Sequence, residues 1–159
     1  TNIYKDIMNN YFKILDDLQE AAIAEPFINT VTQGDITEVD LNKNTIFPLC
    51  HLMLNNVSLT SNSCNLNMSI VLMDIVNFSK EAKTSDIRGN SNELDVLNTQ
   101  LSVAGRLQAL LLRSETYRNN YQLDGAFNCE PFTDRFESNV AGWTVSFSVT
   151  MFNESTSVA

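Results

Sequence analysis

The chain has 159 residues, 43% of them hydrophobic and 18% charged, the balance of one globular domain that needs no disulfide or metal staple. Its 10 Lys and Arg stand against 19 Asp and Glu, a formal net charge of −9, and form no cluster, which argues against nucleic-acid binding through a basic patch. A negative surface instead repels a duplex and lets it slide past.

Three cysteines, Cys50, Cys64 and Cys129, occur without a CxxC pair. That odd count speaks against a disulfide framework or a thiolate metal cage and suits a reducing cytosol. No apolar run is long enough for a transmembrane helix, and the N-terminus lacks a basic segment followed by an apolar one, so neither a membrane span nor a signal peptide is expected. Thr1 in place of Met points to a removed initiator.

The first element reads as a helix. Tyr4, Ile7, Tyr11, Ile14, Leu15, Leu18 and Ala22 recur at three- and four-residue steps, Asn2 or Thr1 is placed to cap it, and Pro26 stops it. Asp16, Asp17 and Glu20 fall on the outer side. Residues 27–32 (FINTVT) form a short β-rich segment, and residues 33–44 are polar, with acids at Asp35, Glu38 and Asp40. Residues 45–54 (TIFPLCHLML) read as a strand in which Pro48 indicates an edge or a bulge. After a turn at residues 61–63, residues 64–76 form a second strand. It alternates first and becomes apolar on both faces from Val71, as happens where part of a sheet is covered on its second side. Asn55-Asn56, residues 90–92 and Asn119-Asn120 read as loops.

Residues 78–90 form a charged loop. A second helix follows over residues 93–113, with Leu94, Leu97, Leu101, Ala104, Leu107 and Leu111 in one stripe and Glu93 and Asp95 at its positive end. Ser91 or Asn92 suits its N-cap. Gly105 inside this helix costs about 1 kcal/mol relative to alanine, which points to a close backbone contact. Residues 121–130 and 142–151 complete the domain as two strands. The last of them places Trp143, Val145, Phe147, Val149 and Met151 on one face and Thr144, Ser146, Ser148 and Thr150 on the other. The order predicts an α+β fold over residues 1–153, a mainly antiparallel sheet of about four to six strands with two principal helices packed on one face. Residues 154–159 read as a flexible tail.

Candidate chemistry is sparse. His51, the single histidine, lies in a strand beside Cys50; neighbours in a strand face opposite sides, so the pair is no nucleophile and base. The Asp35, Glu38, Asp40 group lacks the glycine and spacing of a calcium loop and reads as a solvated segment. Asp74 interrupts an apolar run and calls for a partner, Arg135 or Arg88, in a buried ion pair. No phosphate-binding glycine loop is present, and neither a cofactor, a metal site nor a catalytic residue is expected. Phe132, Asp134, Arg135, Phe136 and Trp143 form the densest aromatic and charged segment and are the candidate interface.

The segments NTIFPLCHLMLNNVSL, NMSIVLMDIVN, GNSNELDVLNTQLSVAGRLQALL and EPFTDRFESNVAGWTVSFSV resemble a family of small virion proteins of tailed bacteriophages, the tail-terminator, tail-completion and head–tail connector (neck) group. The resemblance runs from about Tyr4 to Met151. It implies an α+β subunit that closes into a homo-oligomeric ring, six-fold for a terminator or twelve-fold for a portal-bound connector. Portal, neck or tail-tube proteins would be its neighbours. Genomic DNA would pass through the channel without specific binding, and the protein would reside in virions assembled in the host cytoplasm. It carries no catalytic residues over. Two other readings stand beside it: a small ligand-binding or enzymatic domain using Asp74 or the Asp35 segment, and a monomeric adaptor or chaperone binding through its aromatic cluster.

Overall fold

Seven elements occupy the described part of the chain: α1 (Ile3–Ala24), β1 (Thr30–Gln33), β2 (Leu49–Leu59), β3 (Ser63–Ile75), α2 (Glu93–Arg118), β4 (Tyr121–Arg135) and β5 (Val140–Phe152). The computed structural model describes residues 3–35, 46–61, 63–77, 92–118, 121–135 and 139–152. Of residues 3–13, 113–118, 121, 134, 135 and 152 it describes the backbone alone.

The strands form one sheet in the order β1-β2-β3-β5-β4. β1 runs parallel to β2; the other neighbours are antiparallel. β5 lies between β3 and β4, so the chain leaves β3, passes through α2, enters β4 parallel to β3, and returns between them. This is the α+β architecture with a mainly antiparallel sheet that the sequence predicts.

Both helices pack on one face. Ile14, Leu18 and Ala22 of α1 and Val103, Leu107 and Leu111 of α2 meet Cys50, Leu52, Leu66, Met68, Ile70, Leu72, Val145, Phe147 and Val149 of the sheet in one core. Each Leu or Ile removed from water there contributes roughly 1.5–3 kcal/mol. At the end of α1, Glu25 accepts from Arg106 Nε at 2.8 and 2.9 Å and from its Nη2 at 2.7 Å, and the Arg106 guanidinium lies over the Phe27 ring. The two helices are thereby fastened together. At the start of α2, Asn92 is the cap position: its carbonyl accepts from Val96 N, and its side chain accepts from Asn77 N at 2.7 Å while its own N–H donates to Asn77 O. A reciprocal asparagine clasp therefore joins the end of β3 to the first turn of the helix.

The outer face is divided. Phe47, Leu49, Val71, Met73, Phe132 and Val140 form a second buried cluster at one end, which is why β3 turns apolar on both sides from Val71. Gly142 sits in this region opposite Phe132. A Cβ there would fall 1.8 Å from the Leu72 carbonyl oxygen, so the close approach of β3 and β5 excludes any side chain.

Several expectations are revised. β2 begins at Leu49 rather than residue 45, and its first half is no edge, because β1 pairs with it from Leu49 to Leu52. Pro48 precedes the strand after a cis Phe47–Pro48 bond, and its carbonyl accepts from Asn29 N and Thr30 N to bring β1 alongside. Asn55 and Asn56 are strand residues, with a bulge between Leu54 and Asn56, because their amides bond to the neighbouring strand. α2 continues to Arg118, five residues past the expected end. A Cβ on Gly105 would meet nothing within 4 Å, so the close contact expected of that glycine is not made among the described residues. Asp16 and Glu20 are exposed as expected, whereas Asp17 is half-buried.

Candidate functional site

The candidate interface segment does not come together as one patch. Phe132 is opposite Gly142, and Pro131 is opposite Trp143. A shift of one residue along a strand reverses the face. Phe132 is accordingly buried in the outer cluster, while Trp143 packs on the helix side, where its Nε1–H donates to the Leu97 carbonyl at 2.7 Å. Arg135 pairs with Val140 through the backbone. The side chains of Asp134 and Arg135, and all of Phe136, lie outside the described residues. So do Arg88, Glu38 and Asp40.

Asp74 is half-buried and its Oδ1 accepts from Ile75 N at 2.7 Å. Burial pushes its carboxyl above the ordinary aspartate range, and that backbone N–H partly offsets the rise. Asp74 pairs in register with Ala141 of β5, and Arg135 stands one strand further on β4, about 10 Å of backbone away by sheet spacing.

His51 is fully buried and structural. Its Nε2–H donates to Gly34 O at 2.9 Å, which leaves Nδ1 to accept from the Thr32 hydroxyl at 2.6 Å. Both ring nitrogens are committed to fixing the end of β1 against β2. Burial pushes the Cys50 thiol up to about 12, and raises Cys64 and Cys129 less fully, so none is poised as a thiolate nucleophile. A cleft of about 300 Å³ between α1 and the sheet edge is lined by Leu15, Asp16, Gln19, Val31, Thr32 and Leu52. Among these lining residues Asp16 is the one ionisable group.

Two surfaces emerge whose position the sequence left open. One is a cross-strand polar ladder on the outer face, beyond the apolar cluster. Asn55 Nδ2 donates to Ser69 Oγ at 2.7 Å; Ser148 Oγ donates to Asn67 Oδ1 at 2.5 Å, and Asn67 donates onward to Asn56. Asn65 Nδ2 donates to Asp124 Oδ2 at 3.0 Å and to Thr150 Oγ1 at 3.2 Å, and Thr150 also bonds Asp124. The alternation of β5 signals this wet face, but not that its groups are already bonded to one another.

The other surface is the free part of β2. β1 covers it only as far as Leu52; beyond that point no described strand lies on that side. Leu54, Val57 and Leu59 are exposed there, Leu59 at 77%. Residues 49–73 contain no Asp, Glu, Lys or Arg. The opposite edge, β4, carries two register breaks, Gly125 at φ 74°, Pro131, Asp124 and Glu130. Such features blunt an edge against further pairing. In comparison with known proteins, the chain matches no family model and no curated protein.

Buried Gln100 completes the survey. Its Nε2 reaches Phe27 O at 3.4 Å and its Oε1 is buried without a partner among the described residues, a position suited to an internal water or an amide adjustment. Among the described residues no three His, Cys, Asp or Glu side chains cluster as metal ligands, and no helix is long and apolar enough to cross a membrane.

Proposed function

We propose that the chain is a structural virion subunit of a tailed bacteriophage, assembling as a ring at the head–tail junction, as a tail terminator or neck connector, around the DNA channel. The reading starts from the resemblance of the segments TIFPLCHLML, NMSIVLMDIVN and FTDRFESNVAGWTVSFSV to that family. The observation that carries it physically is the uncharged edge of β2 from residue 53 to Leu59, which no described strand covers.

Backbone N–H and C=O groups on such an edge accept an added strand, and its exposed Leu and Val side chains supply apolar contact. Joining this edge to a different surface of the next subunit is a heterologous contact, and heterologous contacts repeated about an axis close into rings. The net charge of −9 suits a channel wall that DNA must pass without adhering. On this reading the protein catalyses no reaction. Its neighbours are further copies of itself and the portal, neck or tail-tube proteins.

Particle images test the proposal. Density for this chain is expected as a closed ring at the head–tail junction of the phage that encodes it. Purified, infectious particles that lack the chain overturn it.

A further inference from the structure

The helix α2 has a second apolar face. Its inner side buries Val96, Val103, Leu107 and Leu111. The opposite side carries Leu94, Leu101 and Leu112, exposed at 43, 42 and 43%, together with Asn98, Ser102, Gly105 and Ala109, all exposed. With 3.6 residues per turn these seven positions lie within one outward strip, and none is charged. A helix on the surface of a monomer normally turns charged and polar residues to that side. Here an acidic protein presents leucines instead, with a glycine in their midst.

Nothing among the described residues accounts for Gly105. A Cβ there would meet nothing within 4 Å, its backbone is helical, and glycine weakens an exposed helix relative to alanine. What the missing side chain does permit is close approach of another backbone. Gly105 also stands at the midpoint of α2, twelve residues after Glu93 and thirteen before Arg118.

We propose that this strip docks α2 of a second copy of the chain, antiparallel, with the two-fold axis passing beside Gly105. The distribution of charge along the helix selects that occupant and that direction. Asp95 and Arg113 are eighteen residues apart, five complete turns, and so occupy one flank of the strip on either side of the midpoint. A two-fold axis at Gly105 brings the Asp95 position of each copy beside the Arg113 position of the other. A parallel pair would set acid beside acid and base beside base. The contact is isologous, with both subunits using the same surface. It covers the three exposed leucines, whose exposure is otherwise unfavourable. The surface is distinct from the edge of β2, and the inference stands or falls independently of the ring reading.

Sedimentation and light scattering of the full chain across a concentration series test it. The parent protein is expected to reach at least twice its subunit mass of 17.8 kDa. Gly105→Glu is expected to abolish the two-fold contact without lowering the melting temperature below that of the parent at dilutions where both are monomeric, since no described residue occupies that space. Asp95→Arg is expected to weaken association, and Asp95→Arg with Arg113→Asp to restore it. A parent chain that stays monomeric at the highest concentration overturns the proposal. So does an oligomer whose mass Gly105→Glu does not alter, or an Asp95→Arg loss that the charge exchange fails to rescue.

Discussion

Near Pro48 the outer face of the sheet is apolar and buried, with Leu49, Val71, Met73, Phe132 and Val140 in one cluster. A few residues further along the same strands it consists of amides and hydroxyls, with Asn65, Asn67, Ser148 and Thr150 bonded across the strands. The first half gains its stability from area removed from water. In the second, polar groups satisfy one another at the surface, and each bond is worth less because water competes for the same groups. One end of the sheet therefore holds the domain together, and the other presents a polar surface of mutually bonded amides and hydroxyls, with Asp124 its one acid among the bonded groups.

The largest test of this contrast is Gly142→Ala. Its Cβ would run into the Leu72 carbonyl, a backbone atom that cannot move aside without parting β3 from β5. A loss above about 4 kcal/mol, or failure to fold, is expected by denaturant unfolding. Phe132→Ala removes the large side chain opposite that glycine and is expected to cost about 3 kcal/mol or more. On the polar half, Asn67→Ala breaks the chain from Ser148 to Asn56 and is expected to cost about 1 kcal/mol. If Asn67→Ala proved as damaging as Phe132→Ala, the division between the halves would be wrong.

Val57→Lys is expected to change subunit stability by less than about 0.5 kcal/mol, because Val57 is exposed. A charge on this edge opposes strand addition, so on the ring proposal the variant should lose assembly, read as a fall in particle mass relative to the parent chain. Unimpaired assembly would remove the edge from the contact.

The smallest effect concerns Asp74. Its raised carboxyl means that ionisation costs more in the folded chain than in the unfolded one, so its contribution to stability is greatest at low pH and is lost as pH rises through the folded value. Asp74→Asn keeps an oxygen for the Ile75 N–H and removes that cost. The stability of the variant relative to the parent should therefore increase from pH 3 to pH 7 in parallel unfolding titrations. A flat difference would show that Asp74 is effectively solvated.

Much of the architecture was legible because periodicity is a local property. The three- and four-residue spacing of Ile14, Leu18 and Ala22 and the alternation of Trp143 to Met151 each report which side of an element faces the core. The change in β3 at Val71 even announced a second covered face. Loop readings at Asn55-Asn56 failed because turn preference is weak against cross-strand bonding. The candidate interface was harder to read. Phe132 and Trp143 are near in sequence and dense in composition, yet the pairing of β4 with β5 sends them to opposite faces. Gln100 and the outer strip of α2 gave no distinct signal, since leucines at seven-residue spacing look the same whether a helix buries them or exposes them.

The amino-acid sequence alone determined the fold class, the positions of the two helices, the wet and dry faces of the last strand and the net negative charge, all of which follow from composition and spacing along the chain. Tertiary structure decided which leucines of α2 are covered, which glycine is crowded and which is open, and where β1 stops along β2. Those outcomes depend on which strands become neighbours and in what register, and contacts between distant residues leave no periodic trace in either partner.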